Sequence, residues 1–179
     1  MWWTVLAMAA DVRPVDAFTA VDGVGSVAVE ITVGEAQQVT VEEPPECAGG
    51  VTVEAVDGVL RVGSTGDCRG FRRVMVSVPS LQRAVTSGSG ALQVRGAVGD
   101  VFELRTTGSG SARGQGAPGT LRVVTSGSGA VHWEGLASSS AVEVSLTGSG
   151  GVTLRGAAAS LTVSDSGSGT VDVSGLAVE

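Results

Sequence analysis

The sequence predicts an all-β fold, a single-stranded parallel β-helix (β-solenoid) with coils of about 20 residues. Three observations predict it. Gly-Ser-Gly recurs at 88–90, 108–110, 127–129, 148–150 and 167–169, at intervals of 20, 19, 21 and 19 residues. A further glycine follows each motif's first glycine by eight positions, at Gly96, Gly116, Gly135, Gly156 and Gly175. Between these glycines apolar residues stand two apart with polar ones between, the period of a half-buried strand. Self-similarity at a period near twenty marks a chain whose repeats bury their apolar faces by stacking on one another.

Each repeat supplies two such pairs. Before the motif stand Phe102/Leu104, Leu121/Val123, Val142/Val144 and Leu161/Val163; after it stand Leu92/Val94, Val131/Trp133, Val152/Leu154 and Val171/Val173. No 3.6-residue period runs through them, and lysine, a helix former, is absent, so helical and leucine-rich repeats are excluded. The glycines fall where a coil must turn sharply. The second repeat is small where its neighbours are large, at Ala112 and Gly114, and one coil later Trp133 is placed to fill the space they leave. Five positions before the motif's first glycine run Arg83, Glu103, Arg122, Glu143 and Thr162, whose charges alternate as on a solvated sheet face.

Residues 11–179 read as one β-helix domain, with 80–179 forming five Gly-Ser-Gly coils and 11–79 less regular ones. In the latter, Val27–Val33, Val39–Val41, Val51–Val53, Leu60–Val62 and Val74–Val78 alternate as strands between Gly34, Pro44-Pro45, Gly49-Gly50, Gly66 and Pro79. Residues 1–10 are uncharged and apolar, and Ala7-Met8-Ala9 fits a small-x-small cleavage site. They are expected to be the remnant of a signal peptide, with a disordered N-terminus or a first strand as the alternatives. No stretch approaches the ~20 apolar residues of a membrane span.

The net charge is −7, with 18 acidic residues against 11 arginines, which argues against nucleic acid or an anionic membrane as the main partner. Cys47 and Cys68 are the only cysteines, without the further ligands of a zinc site or the spacing of a redox pair. In an exported protein they are expected to form a disulfide, and a 20-residue coil would set them at equivalent points of adjacent coils, with two separate buried thiols as the alternative.

These features resemble the head GIN domain family, bacterial envelope proteins often labelled autotransporter adhesins. The resemblance rests on Val29-Glu-Ile31-Thr-Val33-Gly34 followed by Gln38-Val39-Thr-Val41, on Val74–Leu81 leading into Thr86-Ser-Gly-Ser-Gly90, and on the repeated turns, over residues 12–179. It implies a right-handed parallel β-helix outside the cytoplasm, in the periplasm, at the outer membrane or extracellular. It supplies no catalytic residue.

The function expected is therefore a non-catalytic cell-envelope or surface module, adhesive or structural, with a surface glycan or an envelope protein as its candidate partner and no cofactor or metal. Asp100, Asp165 and Asp172 find no partners at repeat spacing and His132 is the only histidine, so a polysaccharide-acting enzyme is the remote alternative. The nearer alternative is a binding face for glycan or ice made of two hydroxyl columns: Ser87, Thr107, Ser126, Thr147 and Ser166, and Ser89, Ser109, Ser128, Ser149 and Ser168. Against it, corner serines commonly satisfy turn backbone instead. The last coil, ending at Glu179, has no sequence left for a cap, so end-to-end association of copies is expected through its strand edges.

Overall fold

A computed structural model describes residues 9–65, 70–138 and 140–179. Two β-sheets lie back to back, and each regular coil contributes one strand to each. The regular coils pair β8 (Arg83–Gly88) with β9 (Ala91–Ala97), β10 (Val101–Gly108) with β11 (Ser111–Gly116), and β12 (Thr120–Gly127) with β13 (Ala130–Leu136). They continue through β14 (Ala141–Gly148) with β15 (Gly151–Ala158), and β16 (Ser160–Asp165) with β17 (Thr170–Val178). Odd-numbered strands of this series stack in parallel in one sheet, here sheet A, and even-numbered ones in the other, sheet B. Gly88 pairs with Gly108, Gly108 with Gly127 and Gly127 with Gly148, so the repeat in the sequence is the register of the stack.

The core fills the space between the sheets. Phe102, Leu104, Leu121, Val123, Val142 and Val144 of sheet B face Leu92, Val94, Val131, Trp133, Val152 and Leu154 of sheet A, and all twelve are buried. Only in the last coil do the inward positions open, with Val163 43% exposed. A third inward column, two residues before each corner, was not anticipated: Thr86, Thr106 and Thr125 are buried, followed by Leu146. Thr106 Oγ1 donates to Thr125 Oγ1 at 3.2 Å, so stacked hydroxyls satisfy one another where water is excluded.

The expected filling of the second repeat holds. Trp133 is fully buried beside Gly114 in register, its ring centroid is 5.4 Å from that of Phe102, and its Nε1–H donates to Gly116 O at 3.0 Å. A Cβ on Gly114 would run into the Trp133 ring. The alternating outer column of sheet B also holds: Arg83, Glu103, Arg122, Glu143 and Thr162 are successive register partners, and Arg122 Nε meets Glu143 Oε2 at 2.9 Å.

The N-terminal part is wound out of chain order. β2 (Ala20–Gly25) and β3 (Ala28–Val33) stack in parallel directly on β8 and β9. The next coil outward is β6 (Val59–Ser64) with β7 (Arg73–Val78), also parallel. Outside these, β4 (Gln38–Glu43) runs antiparallel to β7, β5 (Val51–Val56) antiparallel to β6, and β1 (Ala9–Val12) antiparallel to β4. Residues 38–56 thus form a cap in place of two further parallel coils. Cys47, buried, ends a 3-10 turn at Pro45–Cys47 inside this cap, so it does not lie at a repeating point of adjacent parallel coils. The nearby turn is tied by the buried Glu43, whose carboxylate accepts from the amides of Gly49 (2.7 Å) and Gly50 (3.2 Å). Cys68 lies outside the described residues, as does Met1–Met8, and the expected boundary after Ala10 falls inside β1.

The fit of Trp133 into Gly114 predicts a coupled pair of substitutions. Gly114→Ala overpacks the core and lowers unfolding stability by about 1–3 kcal/mol in denaturant melts. In a Trp133→Leu background the same change costs much less, a coupling readable in a double-mutant cycle. Simple additivity of the two losses would contradict the packing described.

Candidate functional surface

The hydroxyl columns face outward. Ser87 is half-buried, and Ser89, Thr107, Ser109, Ser126, Ser128, Thr147, Ser149, Ser166 and Ser168 are exposed. Ser26, in the Gly25-Ser-Val corner of the β2/β3 coil, adds a further exposed hydroxyl to the corner column. The glycine between the two columns is left-handed, with φ of 109° at Gly88, 100° at Gly108, 113° at Gly127 and 120° at Gly148. The chain therefore turns between them, and the columns flank a corner instead of lying on one strand. Coil-to-coil bonding at this corner is made by backbone: the amides of Ser89, Ser109, Ser128, Ser149 and Ser168 donate to the first glycine carbonyl of the adjacent coil at 2.8–3.0 Å. The hydroxyls take little part, and only Thr147 and Ser166 approach each other, at 3.4 Å.

A second surface is more richly functionalised. On the outer face of sheet A the third position after each corner's first glycine is small: Ala91, Ser111, Ala130, Gly151 and Thr170. The fifth position gives Gln93, Arg113, His132, Thr153 and Asp172, and the seventh gives Arg95, Gln115, Glu134 and Arg155. Parallel register stacks these as columns, with a shift before Arg155. Ser111, Ala130 and Gly151 of the small column line a shallow groove of about 540 Å³ together with Gln93, Arg95, Arg113, Gln115, His132 and Glu134. Of this face, sequence reasoning noticed His132 and Asp172. The signal lay in the fifth and seventh positions, where polarity is kept while residue type changes from coil to coil.

The carboxylates of this face are engaged. His132 Nε2–H donates to Glu134 Oε1 at 2.7 Å, and this bond, then the charge of His132, holds the Glu134 carboxyl below the usual glutamate range; Arg155 and Arg113 add to the effect. Asp172 Oδ1 accepts from the Ser174 amide at 3.0 Å, and hydrogen bonding from Ser174 depresses its carboxyl as well. Glu30, at the other end of the face, lies 3.5 Å from Arg73. Asp100 and Asp165 stand apart from these residues, and among the described residues no cluster of His, Cys, Asp or Glu has the makings of a metal site. None of the described helices is long and apolar enough to cross a membrane.

Residues 17–179 match the family profile described as "Putative auto-transporter adhesin, head GIN domain". The chain belongs to the head GIN domain family. The family points to the bacterial surface or envelope, and its description is that of an adhesin, not an enzyme. Among curated proteins none matches the chain in sequence. Solved structures share its fold at low identity. A "putative lipid binding protein" from Parabacteroides distasonis has a TM-score of 0.79 at 16% identity, covering 94% of this chain and 74% of that one. A "putative adhesin" from Parabacteroides merdae has 0.59 at 15%, covering 92% and 95%. Another from Bacteroides fragilis has 0.53 at 15%, covering 93% and 96%. At these identities the likeness is one of fold alone.

The His132–Glu134 pair sets a titration. Because the Glu134 pKa is lowered in the folded protein, the contribution of the pair is present above the ordinary glutamate pKa and is lost as pH falls through the lowered one. Side-chain carboxyl NMR is expected to show Glu134 titrating below free glutamate, and His132→Ala to move its midpoint upward. An unmoved midpoint in that variant would contradict the assignment.

Proposed function

We propose that this head GIN domain is a non-catalytic recognition module of the bacterial cell surface, adhesive in role, and that it contacts glycan through the outer face of sheet A. The observation that carries this reading is the groove itself. Planar hydrogen-bonding side chains from β9, β11 and β13 line a shallow, open channel kept low along one side by Ser111, Ala130 and Gly151. Such a channel admits an extended chain and offers it amide, guanidinium and imidazole donors at each coil, about 4.8 Å apart. Engagement of Glu134 by His132 and of Asp172 by Ser174 argues against a free acid–base pair there.

The other readings fit less well. The corner hydroxyls remain a candidate contact for a repetitive glycan, but the turn between their columns works against the flat lattice an ice surface requires. A lipid role, as in the description of the Parabacteroides distasonis neighbour, would need enclosed apolar space, whereas Trp133, Phe102 and the leucines fill the core and the groove is shallow and walled by amide, guanidinium and imidazole groups. Export of the chain and a Cys47–Cys68 disulfide belong to the same proposal, supported by the family and by the burial of Cys47.

Binding to a panel of immobilised bacterial and plant polysaccharides tests the proposal. Ala130→Trp, which fills the low side of the groove, is expected to weaken binding at least tenfold, and the triple Ser109→Ala, Ser128→Ala, Ser149→Ala variant to leave it unchanged. The protein is expected to release neither reducing ends nor unsaturated products from bound polymers. Binding that survives Ala130→Trp but is lost in the serine variant would move the site to the corner, and release of product would make the protein an enzyme.

A further inference from the structure

The distribution of charge narrows the class of glycan. Residues 1–57 hold ten of the 18 acidic residues and one of the 11 arginines, so the acidity of the chain is concentrated in its N-terminal part. In the repeat region arginines outnumber acids on both outer faces, with Arg83, Arg105 and Arg122 against Glu103 and Glu143 on sheet B, and Arg95, Arg113 and Arg155 against Glu134 and Asp172 on sheet A. On sheet B, Arg122 is paired with Glu143, and Glu103 lies in register between Arg83 and Arg122. On sheet A, Arg95, Arg113 and Arg155 are exposed and, among the described residues, none of them forms an ion pair. Arg95 is oriented by a neutral partner: the Gln93 amide oxygen, turned so that both its ends are satisfied, accepts from Arg95 Nε (3.1 Å) and Nη2 (2.9 Å). The carboxylates nearest them are bonded to other groups, Glu134 to His132 and Asp172 to the Ser174 amide.

We propose that the groove on sheet A takes an acidic polysaccharide whose carboxylates are engaged by Arg95, Arg113 and Arg155. The proposal rests on the reading of this face as a glycan-contact surface and names its ligand class. Guanidinium groups hold carboxylates in paired, charge-assisted hydrogen bonds, a geometry lysine does not offer. The three arginines lie on β9, β11 and β15, spread over three coil steps, or about 14 Å along the stack. That spacing suits a polymer with charges at intervals along a chain of hydroxyl-bearing units. Gln115 and His132, set between the arginines, supply partners for those hydroxyls. A nucleic acid duplex, with a charge about every 1.7 Å, would be poorly neutralised by three guanidiniums on a protein of net charge −7.

The test is titration calorimetry of the intact protein with polygalacturonate, alginate and hyaluronate, each beside its carboxyl-reduced form and beside dextran. The acidic polymers are expected to bind, and carboxyl reduction is expected to abolish binding. Arg113→Gln should lower affinity about tenfold, the loss of one charge-assisted contact. The triple Arg95→Gln, Arg113→Gln, Arg155→Gln variant should remove binding, while Arg105→Gln, an equal charge change on the outer face of sheet B, should leave it within about twofold. Circular dichroism of each variant confirms the fold. Equal binding of the reduced polymers, or equal loss in Arg105→Gln and Arg113→Gln, overturns the proposal. Binding of neutral polymers alone overturns it while leaving the glycan-contact reading intact, and the absence of binding to every acidic and neutral polysaccharide defeats both.

Discussion

Everything in the regular part of this protein depends on backbone meeting backbone at the Gly-Ser-Gly corner. A Cβ on Gly88 would sit 2.8 Å from Gly25 O, and one on Gly110 would sit 2.5 Å from Gly90 O. Only glycine lets one coil settle onto the next at that distance, and the reward is a pair of amides, as at Ser109 and Gly110, both donating to the Gly88 carbonyl. Because the contact repeats in the same place, it fixes the register of every strand between corners. A slip of one residue would send the inward valines and leucines to the solvent side.

Fixed register turns sequence positions into columns, and the columns sort by what they can do. Inward ones pack, with Trp133 occupying the volume that Gly114 leaves and stacked threonines pairing their hydroxyls. Outward ones on sheet B set arginine beside glutamate in neighbouring coils, as at Arg122 and Glu143. Outward ones on sheet A change residue type from coil to coil. Their acids are bonded locally, their arginines are left exposed, and a column of small residues runs beside them. A rigid stack that presents the same columns coil after coil suits the recognition role proposed for it.

The solenoid, its period, the inward pairs and the Trp133–Gly114 fit were legible in the sequence because each follows from glycine spacing and residue volume. The order of the N-terminal coils was not. Val39–Val41 and Val51–Val53 alternate just as Val29–Val33 does, and alternation has the same period in parallel and antiparallel strands, so nothing in those residues announced a cap. Nor does any local feature say that β2 and β3, distant in sequence, are the neighbours of β8 and β9. The serine columns drew attention because their residue type repeats. The groove on sheet A was passed over because Gln93, Arg113, His132 and Thr153 share a place in the coil and not a residue type.

Native-state hydrogen exchange at the corners tests this account most directly. Ser109, Ser128 and Ser149 have exposed side chains in a turn, yet their amides are bonded to the adjacent coil. The account predicts that these amides exchange only on global unfolding, with the same free energy as the amides of Leu104 and Val123 in the strands. Exchange at the rate of a surface loop while the strand amides stay protected would show that the corner does not hold the stack together.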